Sequence, residues 1–375
     1  MSKPKVLFIL HLPPPCHGAA EMGRLIRKSA RVNEAFETRY INLSASRSIA
    51  EIGRFAWKKL NVISRLLRQV RKEIREWNPD LVYLTPSSTM PGLLKDVLVK
   101  RCAVRRGAKV VLHFHNRGVS ARQDRFLDNL LYHKLFSDAH VILLSPRLYP
   151  DMQKYLPSDR VSFCANGIPA PAIPSGPSVI PSEAKESTSQ VRFVFLSNLI
   201  RSKGIPELLD ACQLLHASAL DFTCDLIGKE TEDYSSSSLA AEIESKGLLD
   251  RVHYLGPKYG PDKWAALSQA DVFVFPSWYP AECFPLVLLE AMAAGLPIVT
   301  TDEGAIPDIV REGENGFVCP VHHPESVADA LRKLLSDSEL RKKMGECGYR
   351  RYQEGFTAEA FESHLIGILE KVLDA

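Results

Sequence analysis

The chain alternates short, unbroken apolar runs with longer stretches of helical spacing, and it does so twice. In the first half the runs are KVLFIL (5–10), ETRYINL (37–43), DLVYLTP (80–86), KVVLHFH (109–115) and HVILLS (140–145). In the second half they are VRFVFLSNL (191–199), FTCDLIG (222–228), RVHYLG (251–256), DVFVFPS (271–277) and LPIVTT (296–301). Runs rich in β-branched residues without strict alternation suit strands buried on both faces. Strand–helix alternation then requires parallel sheets with right-handed crossovers. Between the halves lies PAPAIPSGPSVIPSEAKESTSQ (169–190), proline- and serine-rich and without apolar periodicity, which reads as a linker or surface loop. The expected architecture is α/β, with two Rossmann-like domains whose parallel sheets face each other across a cleft. The boundaries are 1–168, the linker 169–190, and 191–355. A last amphipathic helix over 356–375 is expected to return to the first domain.

Charge divides along the same boundary. Residues 1–180 hold 29 Lys and Arg against 13 Asp and Glu, a net of +16; the remainder carries a net of −13. An N-terminal half of that sign suits an anionic partner. The segment GRFAWKKLNVISRLLRQVRKEIREW (53–77) concentrates the effect, with an apolar stripe through Leu66, Val70 and Ile74 and a basic face carrying Arg65, Arg68 and Arg71. Such a face is either simply solvated or touches anionic lipid headgroups or an anionic acceptor. No nucleic-acid-binding motif accompanies it, and nucleic acid is not expected as a partner. No run of 18 apolar residues suggests a membrane-spanning helix. The start MSKPKVLFIL has only a five-residue apolar run followed by prolines, so a buried first strand is expected rather than a signal peptide. The eight cysteines form no C-x-x-C pair and no zinc spacing. They read as reduced core thiols of a cytoplasmic protein, peripheral at the inner face of the membrane if the basic face makes contact.

The chemistry concentrates in AECFPLVLLEAMAAG (281–295), an apolar stretch with two acids, Glu282 and Glu290. Burying a carboxylate is costly unless it is paired or hydrogen-bonded. Pro285 suits the first position of a helix, and Gly295 and Pro297 suit its exit. Glu282 then precedes the helix in a loop, and Glu290 lies on its second turn. Between them the helix start presents free N–H groups near 284–286, a ready anion site.

This spacing resembles the E-x7-E motif of the family 4 retaining glycosyltransferases, which have the GT-B fold. The likeness extends to SNLIRSKGIPELLDA (197–211) and to the block ADVFVFPSWYPAECFPLVLLEAMAAGLPIVTTDEGAIPDIVREGENGFVCP (270–320). It is weaker at HFHNRG (113–118), LLSPRL (143–148) and ANGIP (165–169). The resemblance implies a hexosyltransferase that moves a sugar from a UDP- or GDP-sugar to a glycan or lipid-linked acceptor in cell-surface polysaccharide or glycolipid synthesis. It implies that Glu282 binds donor hydroxyls, that the N–H groups of Phe284 and Leu286 hold the diphosphate or the sugar, and that Glu290 binds the ribose. Lys203, with Arg201 nearby, would neutralise the leaving group; Gly18 would admit phosphate or acceptor to the backbone; and His115 would lie near the transferred sugar. Read without the resemblance, each is an ordinary loop acid, solvated lysine or structural histidine. Asn198 stands where the family commonly has Arg, and an amide cannot neutralise phosphate. No D-x-D or His/Cys/Asp cluster stands out, and the resemblance implies metal-independent transfer with no cofactor beyond the nucleotide sugar. Alternatives are an epimerase or hydrolase of the same fold, and a non-catalytic nucleotide-sugar-binding subunit.

Overall fold

A computed structural model of the chain describes residues 2–15, 17–43, 56–171 and 190–375. It divides into two compact units, Met1–Gly167 with Ala358–Ala375, and Ile168–Thr357. Most of the 169–190 segment lies outside the described residues.

Unit 1 runs β1 (Lys5–Leu10), α1 (Gly18–Lys28), α2 (Ala30–Ala35), β2 (Glu37–Asn42), α3 (Ala56–Trp77), β3 (Leu81–Leu84), α4 (Gly92–Val104), β4 (Lys109–His113), α5 (Phe126–Phe136), β5 (His140–Leu143) and β6 (Val161–Phe163). The strands form one parallel sheet in the order β2-β1-β3-β4-β5-β6. The start at Lys5 is a buried central strand, with Val6 through Leu10 wholly enclosed. The chain leaves β1 toward one edge and resumes from β3 toward the other, so the strand order switches between β1 and β3. Open parallel sheets bind ligands beyond the strand ends at such a switch.

Unit 2 repeats the plan with β7 (Val191–Leu196), α6 (Ile205–Ala217), β8 (Phe222–Ile227), α7 (Ser236–Ser245), β9 (Val252–Tyr254), α8 (Gly260–Gln269), β10 (Val272–Phe275), α9 (Leu286–Ala293), β11 (Ile298–Thr301), α10 (Ile306–Ile309), β12 (Gly316–Cys319), α11 (Pro324–Ser336) and α12 (Ser338–Gly355). Its order, β12-β11-β10-β7-β8-β9, places the switch between β7 and β10. The short edge strands β6 and β12 are absent from the sequence reading. Each is only partly buried, so neither has the unbroken apolar run that marks the central strands.

The last helix, α13 (Ala358–Asp374), belongs to unit 1. Phe361, Leu365 and Leu369 recur every four residues and are buried, each contributing about 2 kcal/mol of burial. At its far end the Lys109 ammonium, at the start of β4, donates to the carbonyls of Val372 and Leu373 at 3.0 and 2.7 Å. A cation there satisfies terminal carbonyls and opposes the negative end of the helix dipole. Helix α3 presents Arg65, Arg68 and Arg71 to solvent and buries Leu66, Val70 and Ile74, as its periodicity requires. Among the described residues, seven cysteines are free, and no helix is long and apolar enough to cross a membrane.

Candidate active site

In unit 2 the loops after β7 and β10 leave the sheet on the two sides of the strand switch. The first carries Lys203, the second Glu282, and the backbone N–H of Trp278 joins them by donating to Ser202 O at 2.9 Å. Gly204, with φ +88°, turns the first loop into α6, and a Cβ there would stand 2.1 Å from Pro276 O. The loops can approach this closely only because residue 204 has no side chain.

The Lys203 ammonium donates to Glu282 Oε2 at 2.6 Å, and Ser277 Oγ donates to the same oxygen at 3.2 Å. Lys203 also lies 4.3 Å from the centre of the Tyr279 ring and 5.6 Å from that of Phe275. The side chains are 14% and 8% exposed, so this is a largely desolvated ion pair. Gly304, with φ +60°, packs beneath the Glu282 loop; a Cβ there would be 2.4 Å from Glu282 O.

Sequence spacing puts Pro285 in the first turn of the helix. In the structure Pro285 is the cap, extended at ψ 120°, and α9 begins at Leu286. Proline supplies no capping side-chain acceptor, so the first N–H groups of α9 keep their anion-binding character. Glu290 follows on the second turn. Its Oε1 accepts from Lys263 of α8 at 2.6 Å, and the Lys263 ammonium lies 5.6 Å from the Trp264 ring centre.

Unit 2 thus gathers Lys203, Glu282, Phe284, Leu286 and Glu290 around one loop pair and one helix start. Arg201 is engaged elsewhere. Its guanidinium lies 4.5 Å over the Tyr234 ring and 3.7 Å from Glu242, and its backbone N–H donates to Asp233. Asn198 is exposed at the end of β7. Ser277, Tyr279 and Lys263 are absent from the sequence reading. Ser277 and Tyr279 carry no signal beyond lying in the matching block. Lys263 is separated from Glu290 by 27 residues and becomes its neighbour only when α8 and α9 pack.

Gly18 and His115 belong to unit 1. Gly18 opens α1, and a Cβ there would meet nothing within 4 Å among the described residues, so the fold itself does not demand glycine. His17 precedes it and accepts the Ala20 N–H at 3.3 Å. His115 lies two residues past β4, its ring 4.3 Å from that of His113, which pairs with Tyr83 Oη. The Nε2 atoms of both histidines are buried without a partner among the described residues. Burial pushes His115 down to about 4; it pushes His11, also near Lys95, His17 and His115, down to about 3. These imidazoles are neutral at physiological pH and can offer hydrogen bonds but no charge.

Residues 180–351 match the family of glycosyl transferases group 1. The fold of the chain is GT-B, and the match to the glycosyl transferases group 1 family spans nearly all of unit 2. N-acetyl-alpha-D-glucosaminyl L-malate synthase of Bacillus anthracis is 31% identical over 187 residues, 50% of this chain and 47% of that one. The chain spans about half the length of the curated relatives it matches. Among solved structures, sucrose-phosphate synthase of Thermosynechococcus elongatus aligns over 99% of this chain and all of its own, with TM-score 0.77 and 17% identity. Anabaena HepE, solved in complex with UDP, aligns over 98% of this chain and all of its own, with TM-score 0.74 and 18% identity.

Proposed function

We propose that the protein is a retaining glycosyltransferase of the E-x7-E type. It moves a sugar from a nucleotide-diphosphate donor, a UDP- or GDP-sugar, to a hydroxyl of a glycan or lipid-linked acceptor. The setting is cell-surface polysaccharide or glycolipid synthesis at the cytoplasmic face of the membrane. The observation that carries the reading is the Lys203–Glu282 pair, held at the strand switch beside the α9 start, within a module that matches group 1 glycosyl transferases. The UDP bound to HepE supports a nucleotide sugar as the donor.

The proposed roles are those the family resemblance implies, and charge and position support them. The diphosphate meets the N–H groups at Phe284 and Leu286, and its charge competes with Glu282 for the Lys203 ammonium. Lys203 then stabilises the negative charge that grows on the leaving phosphate as the bond to the anomeric carbon breaks. Released from Lys203, Glu282 accepts hydrogen bonds from sugar hydroxyls. Glu290 accepts from the two ribose hydroxyls, positioned by Lys263. The acceptor oxygen attacks the anomeric carbon on the face the phosphate leaves, and the departing phosphate oxygen takes the acceptor's proton. Configuration is thereby kept without a covalent intermediate. A neutral His115 donates to or accepts from a hydroxyl of the transferred sugar. Lys203 and the helix start do the work that a metal ion does elsewhere, so transfer is metal-independent.

The test is a panel of UDP-, GDP- and ADP-sugars read by thermal shift and slow donor hydrolysis. An acceptor screen with the best donor follows, with the product's anomeric configuration read by NMR. Stabilisation by no member of the panel overturns the donor assignment, and an inverted product overturns the retaining one.

A further inference from the structure

Six of the eleven large apolar side chains exposed among the described residues fall between positions 90 and 130. Phe126 is 79% exposed and Leu127 63%, on the first turn of α5; Leu130 follows on the next turn, and Leu94 stands on α4. The two helices pack side by side, with Lys100 of α4 donating to Lys134 O of α5 at 3.0 Å. Both return the chain across the same face of a parallel sheet, so they run parallel. The 34-residue offset of that hydrogen bond sets Leu94 level with the turn between Leu127 and Leu130. The apolar side chains therefore form one patch, at the end of the layer where the helices start and the strands finish.

The layer around the patch is basic. Helix α3 packs on the other side of α4 and turns Arg65, Arg68, Arg71 and Lys72 outward. The carboxylates of the described parts of the three helices are each held in an ion pair. Glu73 pairs with Arg39, Glu76 with Arg75, Asp96 with Lys95 and Asp128 with Arg122. An unmasked cationic surface thus lies beside protruding Phe and Leu side chains. That is the combination that binds an anionic bilayer: basic groups attract the headgroups, and apolar groups enter the acyl boundary.

We propose that the α4–α5 patch of Leu94, Phe126, Leu127 and Leu130 inserts into the interface of an anionic membrane, with the α3 face supplying the electrostatic attraction. The patch ends the layer on the side of the β1–β3 switch, so docking brings the ligand end of unit 1 to the bilayer. The patch belongs to unit 1 and the donor residues to unit 2, and the inference does not rest on the transfer reaction.

Cosedimentation with equimolar phosphatidylglycerol–phosphatidylcholine vesicles, without donor, tests it. The parent chain should bind these and not pure phosphatidylcholine vesicles. Phe126→Asp/Leu127→Asp should weaken binding by about tenfold or more, with an unchanged melting midpoint and unchanged UDP affinity. In Phe126→Trp, emission should shift blue on vesicle addition by more than in the parent. Equal binding by the double variant, absence of binding to anionic vesicles, or an emission in Phe126→Trp that shifts no more than the parent's overturns the proposal. So does a parent dimer in light scattering that the double variant splits, because the patch would then be covered by a second copy.

Discussion

Replacing Lys203 by Met removes the ammonium from a carboxylate that is only 8% exposed. Removing one partner of a buried pair strands the other charge, at a cost of ~3–5 kcal/mol. Ser277 Oγ remains 3.2 Å from Glu282, which places the loss near the lower end, about 3 kcal/mol. Glu282→Gln strands the ammonium instead. The rings of Tyr279 and Phe275 still face it at 4.3 and 5.6 Å, so the loss should be smaller, about 2 kcal/mol. The double variant has no stranded charge and should also lose about 2 kcal/mol, leaving a coupling of about 3 kcal/mol. Urea unfolding of the four proteins at pH 7 measures all three differences. Losses that simply add, for a total near 5 kcal/mol in the double variant, would refute a coupled buried pair. The same proteins separate folding from chemistry. If Lys203 stabilises leaving-group charge, transfer should fall by about 100-fold or more in both single variants and stay low in the double. Near-parental turnover in Lys203→Met would remove Lys203 from the mechanism.

Three further outcomes are expected. Glu290→Ala should weaken nucleotide binding by about tenfold, the loss of roughly one strong hydrogen bond; an unchanged UDP affinity by calorimetry would end the ribose assignment. Transfer should be the same in excess EDTA as without it, and abolition by the chelator would show that a metal takes part. Stability should also fall below neutral pH. Burial holds His115 down to about 4 and His11 to about 3, whereas both titrate near 6.5 in an unfolded chain. The unfolded chain therefore takes up protons first as pH falls through 6.5, and each histidine should remove about 2 kcal/mol of stability by pH 5, all of it restored above 6.5. His115→Asn should flatten the urea midpoint between pH 7 and 5, and a slope equal to the parent's would mean the ring is not held neutral by the fold.

The central strands and their parallel arrangement were legible in the sequence because a strand buried on both faces must be apolar along its whole length. Val6–Leu10 and Val272–Phe275 meet that requirement, whereas the half-exposed Val161–Phe163 does not. The loop–helix design of 281–295 was legible for a similar local reason: proline restricts the backbone and glycine frees it wherever they stand. The charge division and the two-faced α3 were legible too, since both depend only on which residues occur and at what spacing.

What the tertiary structure decided is which charges meet. Lys203 and Glu282 are 79 residues apart, Lys263 and Glu290 27 apart, and nothing in either local sequence names the partner. The first pair forms because the strand order switches between β7 and β10; the second forms because α8 and α9 pack. Gly204 and Gly304 let the backbones close to the needed distances. The two acids of an apolar stretch are tolerable for that reason: each has a lysine brought to it by the fold, and a desolvated carboxylate is stable only where such a partner arrives.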